Sequence, residues 1–175
     1  KHSVPGTAVV VHYGVYPGGC FIYDLTGTAR APVWIGGAAG EDPPVIEGGS
    51  EGLHLIRPRY VILHDMEIRN SRNNGINCDD GGDTDNQDAA RFLIFRNLNI
   101  HDIGGTGNQD GLKLSGVNDF AVLDSQFSRC GGGLSGSGID QVGCHGGTID
   151  RCRFENLSGN AVQCKGGTAD IQIQG

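Results

Sequence analysis

The sequence has 175 residues, enough for one domain with a sizeable buried core. Glycine accounts for 31 residues and proline for 6, without the three-residue period of collagen. Only 19% of residues are charged, too few for a coiled coil or a charge-rich disordered chain. The net charge of −7 disfavours nucleic acids and anionic membranes as partners, so we expect neither. A glycine-rich β protein remains.

Short strands recur in register along the chain. In three copies, 16 residues separate the residue that opens the first strand from an apolar residue in the last: Gly52 to Ile68, Gly111 to Phe127 and Gly138 to Phe154. Each copy contains three short strands, and a single copy cannot bury its own apolar side chains. The repeat predicts an all-β fold, a parallel β-helix of about five or six coils. The first strands read GLHL, GINC, GLKL, GIDQ and AVQC.

The register also predicts which side chains stack inside the solenoid. A β-sandwich of short strands, the alternative fold, would show hairpin turns every 8 to 12 residues but no repeating columns. The predicted inward columns are Leu63, Phe95, Val122 and Ile149; Ile68, Ile100, Phe127 and Phe154; and Met66, Leu98, Ser125 and Cys152.

The six cysteines include no Cys-x-x-Cys pair, and five of them fall in predicted inward columns. There a cysteine behaves as a small apolar residue. We therefore expect mostly reduced thiols and a chain that folds without disulfides.

One copy is irregular. Gly75 lies 25 residues before Ile100, and the nine extra residues fall in the segment from Asp79 to Asp88, DDGGDTDNQD. Five aspartates in a glycine-rich loop are suitable oxygen ligands for calcium, although the spacing is not that of an EF-hand. A soluble Asp- and Gly-rich turn is the alternative.

The segments VVVHYGVYPGG, LTGTARAPVWIGG, PVIEGG, GLHLIRPRYVILHDMEIRN and NIHDIGGTGNQDGLKLSG resemble the right-handed parallel β-helix proteins of the pectin-lyase-like superfold. The resemblance implies a right-handed helix and a polysaccharide partner, although the superfold also contains glycosidases, epimerases and non-catalytic adhesins. It further implies a secreted or cell-surface protein. Because members usually have a capping helix and more coils, we expect residues 1–175 to be one β-helix domain truncated at both ends. We also expect a monomer.

In this superfold, carbohydrate binds along the outward side of the first strand of each coil. The resemblance therefore implies a polar substrate-binding column at His54, Asn77, Lys113, Asp140 and Gln163. A solvated face with no ligand is the alternative, since outward residues of a half-buried sheet are usually polar.

The string DDGGD resembles the calcium element of family 9 pectate lyases, and QDGLKL resembles their DG-x-x-x-K segment, in the opposite chain order. This implies a calcium site at Asp79, Asp80, Asp83 and Asp110. A lyase of acidic polysaccharide needs a base to remove the proton at C5, and we expect Lys113 to be that base. A structural ion pair of Lys113 with Asp140 on the next coil is the alternative.

Signatures of three related enzyme groups are missing: Arg-x-Pro-x-x-Arg of family 1 pectate lyases, GHG of polygalacturonases and DPHE of mannuronan epimerases. Two hypotheses remain. The first is a calcium-assisted lyase of an acidic polysaccharide, and the second is a non-catalytic β-helix that binds glycans or serves as a surface scaffold.

Overall fold

The computed structural model describes residues 4–105, 107, 109–132 and 136–175. These residues form strands and no helix, and hence no helix that could span a membrane. The strands are β1 (Ala8–Val11), β2 (Val15–Pro17), β3 (Cys20–Tyr23), β4 (Val33–Gly37), β5 (Val45–Glu47), β6 (Leu53–Ile56), β7 (Arg59–Arg69), β8 (Ile76–Asp79), β9 (Ala90–Ile103), β10 (Leu112–Ser115), β11 (Val117–Leu123), β12 (Gln126–Cys130), β13 (Ile139–Val142), β14 (His145–Asp150), β15 (Arg153–Glu155), β16 (Val162–Lys165) and β17 (Ala169–Gln174).

The strands pair in parallel from one coil to the next and form three faces. The first face is a six-stranded sheet in the order β3-β6-β8-β10-β13-β16. The second face runs β1-β4-β7-β9-β11-β14-β17. The third contains β2, β5, the later parts of β7 and β9, β12 and β15. This is the predicted parallel β-helix, with about six coils.

The core consists of like side chains stacked between coils. Leu63 pairs with Phe95 in the next coil, and the same column continues through Val122 to Ile149. Phe127 stacks on Phe154, with ring centroids 5.3 Å apart and planes 11° apart. The predicted inward columns are confirmed, and burial of this apolar surface supplies the main favourable free energy of folding.

The corner between the second and third faces is made by one residue in the left-handed conformation. The φ angles are 52° at Asp65, 51° at Asn97 and 50° at Asp124. Asn and Asp tolerate this conformation better than most residues, which explains their use at the corner. β7 and β9 run continuously through the bend, whereas two residues separate β11 from β12 and β14 from β15.

All six cysteines are free thiols. Cys78, Cys130 and Cys144 are buried, and burial raises the pKa of Cys130 to about 12 and that of Cys144 to about 11. Cys164 lies in an inward column but is exposed, because β16 is the outermost described strand of the first face.

We predict that Phe127→Ala lowers the free energy of unfolding by about 3–5 kcal/mol, because it removes a buried ring from the middle of a stacked column. Urea denaturation monitored by circular dichroism measures the change. Gln126→Ala, at the exposed position beside it on β12, is the control and should change stability by less than about 0.5 kcal/mol. Equal effects of the two substitutions would contradict the inward assignment of this column.

We also predict that the native protein reacts with a thiol reagent at neutral pH mainly at the exposed Cys20 and Cys164, because the buried thiols are protonated and shielded. All six should react in denaturant without a reductant. Mass spectrometry of the labelled protein counts the modified residues, and fewer than six in denaturant would indicate a disulfide.

Candidate functional site

The outward side chains of the first face form one column in register. His54 pairs with Asn77, Asn77 with Lys113, Lys113 with Asp140, and Asp140 with Gln163. Neighbouring members are one strand spacing apart, about 4.8 Å. The structure therefore aligns the five predicted substrate-binding and catalytic residues on one surface. The side chains of four of them divide into two groups, and Gln163 accepts a hydrogen bond of 3.4 Å from the hydroxyl of Ser137.

The first group is centred on the buried carboxylate of Asp140. Lys113 donates to Oδ2 of Asp140, and the Nζ atom of Lys165 lies 2.9 Å from the same oxygen. The Asp140 side chain has no exposed surface, and its Oδ1 atom has no hydrogen-bond partner in the described part of the chain. A buried carboxylate needs such cationic partners, and this one keeps one oxygen free to accept a further hydrogen bond.

Asp110 lies beside this group. Its Oδ2 atom is 3.9 Å from the Nζ atom of Lys113, and its Oδ1 atom accepts a hydrogen bond of 2.8 Å from the backbone N–H of Ser137. Burial raises the pKa of Asp110 from 3.8 to about 6, and the neighbouring Asp140 carboxylate acts in the same direction. We define the two-lysine cluster as Asp110, Lys113, Asp140 and Lys165.

The second group lies on the two coils that precede Lys113 and contains His54, Asn77 and Asp79. The Nε2 atom of His54 is 2.5 Å from Oδ2 of Asp79 and 3.0 Å from Nδ2 of Asn77. The ring of Phe21 packs against that of His54 in a tilted arrangement, with centroids 5.0 Å apart and planes 49° apart. Asp79 thus pairs with the coil on one side, whereas Lys113 pairs with the coil on the other.

The four aspartates predicted to bind calcium do not come together. Asp79 ends β8, whereas Asp110 lies two residues before β10 and level with Asn74, whose Oδ1 atom accepts its N–H. Five residues along a strand correspond to about 16 Å, but calcium–oxygen distances are about 2.3–2.6 Å. One ion therefore cannot bind both carboxylates.

The loop aspartates are also occupied by local hydrogen bonds. Asp79 and Asp80 accept from the N–H groups of Gly81 and Gly82 at 2.9 and 2.8 Å, and Asp83 accepts from the side chain of Asn86 at 2.9 Å. In the described ranges, no group of three or more His, Cys, Asp or Glu side chains could hold a metal ion. These residues do not fit a shared calcium cage, and calcium binding here stays a prediction from the sequence.

Lys165 is the site residue that sequence reasoning missed. A signal for it existed, because Lys165 follows Gln163 by two positions on β16 and so points outward as well. Its register position is level with Val142 rather than Asp140, so the ion pair is diagonal across the sheet. Pairing only the residues that lie directly opposite one another does not predict this diagonal ion pair.

Comparison with known proteins identifies the family. Residues 51–175 match the family model described as right handed beta helix region. The match covers more than half of the chain, so this chain belongs to the right-handed beta-helix family. No curated protein matches the sequence.

Two solved structures match this chain. The first is the alginate lyase from Paenibacillus sp. str. FPU-7, with a TM-score of 0.60 and 18% identity, and the match covers 86% of this chain. This chain spans 60% of the length of that lyase. The second, a "putative glycosyl hydrolase" from Parabacteroides merdae ATCC 43184, has a TM-score of 0.42 and 12% identity and covers 97% of this chain and 79% of its own. At such identities the likeness to the alginate lyase shows the fold alone.

We predict that Asp110→Asn changes how stability depends on pH. Because the pKa of Asp110 is raised in the folded state, the folded protein binds a proton more tightly than the unfolded chain. The free energy of unfolding of the wild type should therefore fall, relative to the variant, as pH rises from about 4 to about 6, and the difference should level off above that range. Urea denaturation at a series of pH values measures it. Parallel profiles for the two proteins would contradict a buried carboxyl at this position.

Proposed function

We propose that this chain binds an acidic polysaccharide along the first face and cleaves it by β-elimination at the two-lysine cluster. The observation that carries the proposal is the pair of ammonium groups on one buried carboxylate, at the middle of an outward polar column. The column from His54 to Gln163 spans four strand spacings, about 19 Å, which suits several linked sugar units. The similarity of its fold to that of an alginate lyase is consistent with this substrate class.

In such a reaction the proton at C5 of a uronate is removed, the C4–C5 double bond forms and the C4–O bond breaks. Lys165 is the candidate to neutralise the uronate carboxylate, because its side chain is more exposed than that of Lys113, at 36% against 19%. A neutralised carboxylate makes the C5 proton more acidic, which is the main electrostatic requirement of the elimination.

Lys113 is the candidate base. Its ammonium donates to Asp140, so it must first pass a proton to that carboxylate to become a neutral amine. The amine can then take the proton from C5 and pass it to the departing oxygen of C4, which leaves Lys113 as a neutral amine again. Asp140 then returns its proton to Lys113, and this step regenerates the ion pair.

The second candidate function is non-catalytic glycan binding. It is favoured by the ion pair itself, because a lysine engaged with a carboxylate is not free to act as a base. The same column and the same lysines would then bind the polysaccharide without changing it. No step of either version is assigned to calcium, since the aspartates predicted to bind it do not converge, and calcium binding stays a prediction from the sequence.

We predict that the protein releases unsaturated products from at least one of polymannuronate, polyguluronate and polygalacturonate, measured as an increase in ultraviolet absorbance. Lys113→Met should lower kcat by about 100-fold or more, the range of general acid–base catalysis. Lys165→Met should instead raise KM by about tenfold, because it removes a charge-assisted contact. Arg153→Met, an exposed cation on the third face, is the matched control and should change neither.

The outcomes separate the two functions. Binding without product on all three polymers would establish non-catalytic recognition, whereas no binding to any acidic polymer would end the proposal. Repeating the assay on the polymer that is cleaved, with a chelator present, tests calcium directly. Loss of activity that added calcium restores would show that the reaction needs the metal.

A further inference from the structure

The second face contains a groove that the proposed function does not use. Its volume is about 410 Å³, and its wall includes Tyr60 and Phe92, whose rings stack with centroids 4.5 Å apart and planes 22° apart. The guanidinium of Arg91 lies 4.1 Å from the centroid of the Phe92 ring. The floor includes three outward residues of one column, Ile62, Ile94 and Ala121.

The apolar floor and the aromatic wall of this groove both depart from what this fold needs for stability. Outward positions on a sheet face are usually polar, yet this column is apolar in three consecutive coils. Tyr60 and Phe92 have φ angles of 53° and 57°, a conformation that is rare for bulky residues. Other coils place Asp119, Gly146 and Asp170 at this bulge, which are ordinary choices there. Two coils thus carry strained aromatic residues whose rings contribute to an outside surface rather than to the core.

The shape of the groove fits an extended ligand. Its lining comes from five successive coils, from Thr28 through Tyr60, Phe92 and Asp119 to Gly146. Four strand spacings correspond to about 19 Å along the helix axis. Aromatic and aliphatic walls with a few polar groups, here the Tyr60 hydroxyl and the Asp119 carboxylate, are typical of ligand grooves.

The charges at its rim select the ligand. Arg91 is paired with both Asp88 and Asp119, and Arg59 lies opposite Arg91 on the neighbouring coil, so these four residues sum to zero charge. The two-lysine cluster lies on the first face, so the second face has no comparable cationic excess to hold a polyuronate, and an uncharged sugar chain needs none. Its C–H groups can pack on the aromatic and aliphatic wall while its hydroxyl groups bond to the rim.

We infer that the second face is a separate binding site for an uncharged glycan chain, with Tyr60 and Phe92 as its apolar wall. The site is independent of the reaction proposed for the first face. It would let the protein hold a neutral polysaccharide while the first face engages an acidic one.

The single tryptophan of the chain provides a direct reporter. Trp34 lies one coil from Ile62 in the same outward column and is 37% exposed. We expect its fluorescence to change on titration with at least one of cellohexaose, mannohexaose and xylohexaose, and not with a polyuronate hexamer. Calorimetry with the same four oligosaccharides gives the affinities.

Phe92→Asn tests the wall, because asparagine suits the left-handed backbone and should leave thermal stability unchanged or higher. We expect this variant to weaken neutral-glycan binding at least tenfold and to leave polyuronate binding unchanged. Tyr23→Asn, which removes an exposed ring from the first face, is the matched control and should leave neutral-glycan binding intact. Lys113→Met should show the opposite pattern, so failure of this site and failure of the proposed function are distinguishable.

Three results would overturn the inference. The first is no binding of any neutral hexasaccharide at millimolar concentration. The second is binding that Phe92→Asn does not weaken. The third is a wild type that self-associates through this face, seen as dimers by light scattering that Phe92→Asn converts to monomers, which would make the groove a protein interface.

Discussion

The backbone hydrogen bonds that join each coil to the next in parallel register determine everything else in this protein. Each strand pairs with its equivalent in the neighbouring coils, for example β10 with β8 and β13. Residues one repeat apart in sequence are therefore neighbours in space. Inside, this stacks Phe127 on Phe154; outside, it brings Lys113 to Asp140. A shift of one residue would turn these side chains to the other side of the sheet.

The same constraint explains how a buried charge cluster can be accommodated. Asp140 has no exposed side-chain surface, and an isolated carboxylate there would be costly. Its neighbours at fixed strand spacings supply two ammonium groups, so the sheet provides the compensation that burial requires. The compensation is incomplete, because one oxygen of Asp140 lacks a partner in the described chain and Asp110 has a raised pKa. Such imbalance is common at functional sites.

The sequence predicts the features that repeat and fails for those that do not. The inward columns and the outward line from His54 to Gln163 follow from the 16-residue spacing, because the repeat specifies the register. The direction of a long side chain is not specified by that period. Lys113 leans toward one neighbouring coil and Asp79 toward the other, and Lys165 reaches Asp140 diagonally.

The insertion after β8 has no counterpart in other coils, so the repeat does not predict its path. For this reason the expectation that Asp110 and the loop aspartates meet was wrong. Tyr60 and Phe92 were missed because only comparison with Asp119 and Gly146 shows that the position is a left-handed bulge.

The most direct test of this account is a double-mutant cycle between Lys113 and Asp140, with Lys113→Met, Asp140→Asn and the double variant compared by urea denaturation. If register holds the two side chains together in a buried ion pair, the double variant should be less destabilised than the sum of the single variants by about 2 kcal/mol or more. Single-variant effects that add to within about 0.5 kcal/mol would contradict it, because independent residues show such additivity.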